Sequence, residues 1–293
     1  MTQGRYSVAA RHARLGGFTL IEMAVVVVLM GIVMTLGLRM LQATQNNAAY
    51  SQTQTKQERI KLALIAFLRS NGRLPCPDSA LPPTGLEPGA CLTNAGRGVL
   101  PWQALGLGVG DVQDGWSNFF TYRGANRTPA TSSNWTIKGG AAAAVPFTIA
   151  EFTIPRTTFS LRQRSDAGVL GAALTPNPVV VLISHGKNGA GARSSRGAAL
   201  IPMPAGADEL ANAGAASTSF VMRTPTDVTA AVGGAFDDVV SFMTPQDLLQ
   251  PLVSEKTLIG ACAAYCALTG TPPPGPACFA TGIPIGNPTV TCP

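Results

Sequence analysis

The sequence has few of the residues that most often carry catalysis. Histidine occurs only twice, and His185 lies in a glycine-rich segment. The chain contains no Gly-x-Ser-x-Gly motif that could act with a histidine and no Gly-Lys-Ser/Thr motif that could hold a nucleotide phosphate. We therefore expect a protein that is not an enzyme.

Charged and aromatic residues are scarce as well, at 12% and 6% of the chain. Basic residues form no cluster interleaved with aromatic residues, so nucleic-acid binding is not indicated. The net charge of +6 includes three arginines of the first 17 residues, and without them it falls to about +3. Abundant glycine (32) and proline (23) favour a loop-rich domain over a helical bundle.

Residues 18–38 lack proline and carry one ionisable side chain, that of Glu22. A helix over this apolar run would be about 32 Å long, which matches the hydrocarbon thickness of a bilayer. A carboxylate in hydrocarbon costs about 3 kcal/mol and normally needs a partner. The run therefore predicts a membrane-spanning helix whose one acidic residue requires a positive charge nearby.

A short basic leader, residues 1–17, precedes this run and ends in Gly16 and Gly17. The contiguous Gly-Phe-Thr-Leu-Ile-Glu, from Gly17 to Glu22, followed by a long apolar segment, resembles the N terminus of the type IV prepilin and pseudopilin family. A generic signal anchor with an incidental glutamate is the alternative interpretation. The chain differs from many family members because it has no proline before Pro75.

The resemblance implies a processing pathway and an assembly contact. In that family a prepilin peptidase cuts after the glycine and methylates the new amine, which implies cleavage after Gly17 and N-methylation of Phe18. The acidic residue of the family pairs with the amino terminus of the neighbouring subunit. Glu22 has that position here, and the amine of the next subunit would supply its positive charge.

Apolar residues return at helical spacing further along the chain, at Ile60, Leu64, Phe67 and Leu68. They predict that the helix continues with one buried face and ends at residues 70–72, before Pro75. The helix is thus expected over residues 18–72, with residues 18–41 as the membrane and polymerisation segment. A kink or break is expected at Asn46-Asn47.

The remaining pattern predicts an α+β fold, with a globular head over residues 73–256. Short β-branched or aromatic runs separated by loops predict an antiparallel sheet packed on the second half of the helix. The strands are expected at residues 135–138, 145–154, 158–162, 179–184, 219–223 and 239–242. Trp102, Trp116 and Tyr122 are expected as core aromatics. Residues 114–122 resemble a pseudopilin segment in which Ser117 replaces the usual glycine.

All six cysteines lie beyond the apolar run, at Cys76, Cys91, Cys262, Cys266, Cys278 and Cys292. Their even number fits disulfides formed in the periplasm, and the absence of any Cys-x-x-Cys pair argues against zinc. Cys76 and Cys91 bracket a proline-rich loop and are predicted to pair, which would stabilise the fold by roughly 3 kcal/mol. The pairing of the last four, in a Cys/Pro-rich extension over residues 257–293, stays open.

Two loop segments resemble the calcium loop of the major pseudopilins. They contribute Ser184 and Asn188 from one segment and Asp237 and Asp238 from the other. Calcium prefers six to eight oxygen ligands, several of them carboxylates. The alternative is a glycine turn beside a strand end whose aspartates accept backbone N–H bonds, with no metal.

Together these features predict a structural subunit, of the minor class, of a type IV pilus or a type II secretion pseudopilus. The expected location is the bacterial inner membrane, crossed once, with the head in the periplasm before assembly into a filament. The resemblance implies as partners other pilin or pseudopilin subunits, the prepilin peptidase, and the inner-membrane assembly platform with its ATPase. The alternative is a tip or binding module that displays the disulfide-rich tail on such a filament.

Overall fold

The computed structural model of the chain describes residues 19–71, 73–89, 97–125, 159–174, 177–195, 200–254, 260–261 and 278–279. The chain divides into two compact units, Met1–Asn47 and Ala48–Pro293. The described elements are α+β: one long N-terminal helix and several small sheets. This agrees with the fold class expected from the sequence.

Helix α1 spans Leu20–Asn71, close to the predicted bounds, and it contains no break at Asn46-Asn47. Its N-terminal part is long and apolar enough to span a membrane. In the first unit its large apolar side chains are exposed, as in Leu20 (89%) and Val33 (68%). The run lacks proline and contains good helix formers such as Leu, Met and Ala, but its β-branched valines and isoleucines are weaker helix formers in water. In a bilayer a helix is required all the same, because every backbone N–H and C=O must be hydrogen-bonded within the segment.

In the second unit the predicted apolar stripe of α1 is confirmed as its buried face. Ile60, Leu64, Phe67 and Leu68 are buried, and Ile60, Leu64 and Leu68 belong to the main hydrophobic core. The helix is also held by polar contacts, since the Gln57 side-chain amide donates to the Val239 carbonyl at 2.9 Å.

The main sheet has four antiparallel strands in the order β1-β3-β6-β9. They are β1 (Gly98–Val99), β3 (Thr121–Gly124), β6 (Val180–Ser184) and β9 (Val239–Met243). Strand β6 is buried along its whole length, as expected for an inner strand with the sequence Val-Val-Leu-Ile-Ser.

A second sheet has the order β5-β4-β8 and contains a parallel pair. Its strands are β4 (Ser160–Arg164), β5 (Leu170–Ala173) and β8 (Ser219–Met222). The pair β4–β8 departs from the antiparallel arrangement that the strand pattern predicts. A parallel pair requires a long crossover, and the chain forms β5, β6, β7 (Arg193–Ser194) and the helix α2 (Ala207–Ala213) before it returns as β8.

The remaining described elements are short. They are a 3₁₀ helix (Val109–Val112), α2 (Ala207–Ala213), α3 (Pro245–Ser254), and the strand pairs β2 (Asn118–Phe119) with β7 (Arg193–Ser194) and β10 (Gly260–Ala261) with β11 (Cys278–Phe279). Four of the six predicted strands correspond to β4, β6, β8 and β9. The other two, at residues 135–138 and 145–154, lie outside the described residues.

Two of the three predicted core aromatics, Tyr122 and Trp102, lie in or against the main core of the second unit. Tyr122 is fully buried and its hydroxyl donates to the Pro75 carbonyl at 3.0 Å. Trp102 and Trp116 are half-buried; Trp102 stacks on Phe119 with ring centroids 5.6 Å apart. Tyr122 therefore lies in the main core and Trp102 packs against it, whereas Trp116 contacts Tyr50 edge-on, with ring centroids 4.8 Å apart, and is not part of that core.

The turn after Asp114 places Ser117 in a conformation that suits glycine better than serine. The Asp114 carboxylate accepts the backbone N–H groups of Trp116 and Asn118, both at 2.9 Å. Ser117 between them has a φ of 68°, and it is the one non-glycine residue with positive φ in the described part of the chain. This left-handed conformation favours glycine over serine.

Cys76 is fully buried and disulfide-bonded. Cys91, Cys262, Cys266 and Cys292 lie outside the described residues, so the predicted pairing of Cys76 with Cys91 and the open pairing of the last four stay predictions.

Candidate functional site

Glu22, the predicted assembly residue, lies in the first turn of α1 and takes part in its N-terminal cap. The backbone N–H of Glu22 donates to the Thr19 hydroxyl oxygen at 3.2 Å, and the backbone N–H of Thr19 donates to the Glu22 carboxylate at 3.3 Å. This reciprocal pair is a capping box, which satisfies two of the N–H groups left free at a helix start. Gly17 and Phe18, the predicted cleavage and methylation residues, lie outside the described residues.

A cluster of three carboxylates forms in the second unit, where the predicted calcium segments meet α2. Oxygens of Glu209, Asp237 and Asp238 all lie within 4.8 Å of one another. Glu209 and Asp238 are buried and Asp237 is half-buried. Like charges at this distance repel, so the cluster needs positive charge, hydrogen-bond donors or protons.

Two elements and one loop position this cluster. Glu209 lies in the first turn of α2, and Asp237 and Asp238 directly precede β9. The loop after β6 approaches them through Gly186, which has a φ of 57° and no room for a Cβ against the backbone and side chain of Asp237. Glycine is required there on both grounds.

Asn188 connects the loop to two of the carboxylates. Its backbone N–H donates to Asp237 Oδ2 at 2.8 Å, and its side-chain amide donates to both oxygens of Glu209 at 3.1 and 3.2 Å. The backbone N–H of Asp237 donates to Glu209 Oε1 at 2.9 Å. These bonds satisfy the carboxylate of Glu209 but leave Asp237 Oδ1 without a partner.

Asp238 lies deeper and is also incompletely satisfied. The Asn212 side-chain amide donates to Asp238 Oδ2 at 2.8 Å. Asp238 Oδ1 lies 3.5 Å from His185 Nδ1, and both atoms are buried without a hydrogen-bond partner. His185 Nε2 lies 2.9 Å from the Thr121 hydroxyl. His185 is fully buried and lies between Thr121 and Asp238, so we assign it a structural role.

The electrostatics of the cluster reflect its burial. Burial, together with the charges of Glu209 and Asp238, raises the pKa of Asp237 to about 7, although the hydrogen bond from the N–H of Asn188 acts in the opposite direction. A bound cation would stabilise the ionised form of this acid, because its positive charge offsets both the burial and the repulsion from the neighbouring carboxylates.

The four residues that the sequence suggests for calcium do not all meet. Asn188, Asp237 and Asp238 come together, whereas the Ser184 hydroxyl donates to Asp114 at 2.7 Å. Glu209 completes the cluster and was missed, because no motif marks a glutamate of a short helix more than twenty residues from either segment. Its neighbour Asp208 is bonded instead by Arg164 and Arg223.

The donor set fits a hard divalent cation in part. It offers oxygen atoms only, and two of them, on Asp237 and Asp238, are shielded from solvent and lack a partner.

Comparison of the whole chain with protein families, characterised proteins and solved structures finds no match.

Proposed function

We propose that this chain is a structural subunit, of the minor class, of a type IV pilus or a type II secretion pseudopilus. Its first unit would anchor it in the bacterial inner membrane and later join the core of the filament, while its head stays in the periplasm until assembly. The large head and the Cys/Pro-rich extension over residues 257–293 favour a minor subunit. The alternative, a tip or binding module displayed through that extension, shares the same anchor.

The observation that carries this proposal is the exposed apolar surface of α1, which starts next to the Phe-Thr-Leu-Ile-Glu segment. Large apolar side chains from Leu20 to Leu41 are exposed, and such a surface is stable only in lipid or against other helices. A carboxylate within this surface is costly in lipid but useful in a helical bundle, where a neighbour can supply an amine. The same segment thus suits both locations.

The working step would transfer residues 18–41 from the bilayer to the filament. Glu22 of one subunit would pair with the methylated amine of Phe18 on the next. Because this contact joins two different surfaces, it can repeat along a filament without closing. The assembly platform and its ATPase would supply the energy, after the prepilin peptidase has removed residues 1–17.

Intact-mass measurement of the membrane-extracted protein tests the proposal. In cells with a prepilin peptidase, the mass should correspond to a chain that begins at an N-methylated Phe18 and has its cysteines oxidised. In cells without the peptidase, the mass should include residues 1–17. A chain that keeps its leader in peptidase-competent cells would contradict the proposal.

We further propose that Glu209, Asp237 and Asp238 hold a calcium ion, with Asn188 at the rim. The two carboxylate oxygens without partners favour this over a metal-free turn. When bound, the ion supplies positive charge that ties the loop after β6 to α2 and to the start of β9. The side chain of Ser184 is not included, since Asp114 engages it.

A further inference from the structure

A groove of about 470 Å³ lies between α1 and β9 in the second unit. One wall is a single stripe of α1, whose residues follow the helical spacing i, i+3, i+4 and i+7: Glu58, Lys61, Leu62 and Ile65. The other wall is formed by residues 240–243 of β9, and Asp247 of α3 lines the groove as well. The space between the helix and the strand is therefore open to a ligand.

The groove runs along the edge of the main sheet and not over its face. Successive residues of a strand point to opposite faces, so a cavity on one face would contact only alternate residues. Four consecutive residues line this groove, Val240, Ser241, Phe242 and Met243. Strand β9 is also the last in the order β1-β3-β6-β9, and within the described part of the chain it pairs with β6 alone.

The edge of β9 presents backbone groups that need a partner. In an edge strand, alternate N–H and C=O groups point away from the sheet. The chain supplies partners at both ends of β9, where the Gln57 side chain donates to the Val239 carbonyl at 2.9 Å and the Asp247 carboxylate accepts the N–H of Thr244 at 2.8 Å. Between these ends, residues 240–243 make no hydrogen bond on the side away from β6 among the described residues.

Apolar side chains of the two walls are incompletely covered. The side chain of Leu62 is 69% exposed, and those of Ile65, Val240 and Phe242 are half-buried, with the last three packed against the main core. An occupant that brings its own apolar side chains would remove this surface from water, which is favourable.

The charged residues of the groove already have partners within the chain. Lys61 Nζ lies 2.8 Å from Glu58 Oε1, and the Asp247 carboxylate caps α3 through the N–H and the hydroxyl of Thr244. The groove therefore offers backbone and apolar contacts and does not select for a highly charged ligand.

We propose that this groove binds a short extended segment of another protein, which adds to the edge of β9 as a further strand. The segment pairs with residues 240–243, a length of about 13 Å, and its apolar side chains at alternate positions contact Leu62 and Ile65. A helix does not suit the site, because its backbone groups are bonded within the helix and leave the edge of β9 unpaired.

Fluorescence anisotropy with the full-length chain in detergent tests this groove. The probe is a labelled peptide, Lys-Val-Thr-Val-Thr-Val-Lys, whose valines form one apolar row. Two further peptides carry N-methyl groups on all valine amides or on all threonine amides. Because alternate N–H groups of a strand point to opposite edges, only one of the two loses its bonds to β9. We expect that peptide to bind at least about tenfold more weakly than the other two.

Variants show whether the peptide occupies the groove. Leu62→Glu should weaken binding at least about tenfold, and the exposure of this side chain means that the fold should be kept. Leu86→Glu, at a position that is 53% exposed and does not line the groove, should bind the peptide like the wild type. The thermal midpoint of both variants checks that they are folded.

Three results overturn the proposal. They are the absence of saturable binding by the wild type, equal binding of all three peptides, and equal binding by the two variants. A shift from monomer to dimer that Leu62→Glu abolishes would also overturn it, because the groove would then belong to a second copy of this chain.

Discussion

Thr19 and Glu22 hydrogen-bond to each other in both directions, at 3.2 and 3.3 Å, in the first turn of α1. The carboxylate proposed to pair with the next subunit is therefore also the cap of its own helix. These two roles need different properties of the side chain. The cap needs a hydrogen-bond acceptor of the right length, whereas the intersubunit pair needs a negative charge.

Replacement of Glu22 by glutamine should separate the two roles. Glu22→Gln keeps an acceptor that suits a capping box but removes the charge, so we expect normal leader removal and loss of incorporation into filaments. Thr19→Val removes the cap and keeps the charge, so it should weaken the helix start by about 1 kcal/mol and still be incorporated. The measurement is the amount of each variant in sheared filaments relative to the membrane pool. Normal incorporation of Glu22→Gln would remove the charge from the mechanism.

Calcium should stabilise the second unit through the three-carboxylate cluster. The midpoint of thermal unfolding should rise in calcium relative to chelator, by about 5 °C at a hundredfold excess over the dissociation constant. Asp238→Asn should abolish the rise, because it removes the charge of a buried carboxylate whose Oδ1 lacks a partner. Asp166→Asn, at an exposed position, should respond like the wild type. An unchanged midpoint in the wild type would argue for the metal-free turn.

Asp208 should stabilise the second unit in a pH-dependent way. Burial alone would raise its pKa, but the hydrogen bonds from Arg164 and Arg223 outweigh burial and lower it. Asp208→Asn leaves two arginines without a countercharge, so it should reduce the free energy of unfolding by about 3 kcal/mol at pH 7.

The pH profile of the same variant checks the cause. Because the folded pKa of Asp208 is lowered, its contribution is complete above the unfolded value of about 3.9 and is lost as the pH falls through the folded pKa. Urea unfolding should therefore give a constant difference between wild type and variant from about pH 5 to 8, shrinking below about pH 4. If the difference in unfolding free energy does not change with pH, the substitution acts through packing and not through the charge of Asp208.

Replacement of Ser117 by glycine should stabilise the second unit. A residue with a Cβ is destabilised by about 1–2 kcal/mol at the φ of 68°, and glycine removes this strain. Part of the improvement is offset, because glycine has more conformational entropy to lose when the chain folds. Ser117→Gly should therefore raise the free energy of unfolding by about 0.5 kcal/mol. Ser117→Ala keeps the Cβ and should gain nothing, so a similar gain in both variants would contradict the assignment to backbone strain.

Local pattern was enough to predict much of the described fold. The bounds of α1, its buried stripe from Ile60 to Leu68, and the strands β4, β6, β8 and β9 follow from spacing and residue type. Strand β3 is not among the strands predicted from residue type, because Thr-Tyr-Arg-Gly is short and ends in glycine. Its place beside β6 depends on a partner that comes more than fifty residues later.

The candidate sites divide in the same way. The sequence by itself determined the apolar run and the Gly-Phe-Thr-Leu-Ile-Glu segment that carry the proposed function, because both are properties of neighbouring residues. It also indicated Asn188, Asp237 and Asp238 through their segments. Only the tertiary structure added Glu209 to the carboxylates and bonded Ser184 to Asp114. Those relationships depend on sheet register and on how α2 packs, which are set by contacts distant in sequence and leave no local pattern to read.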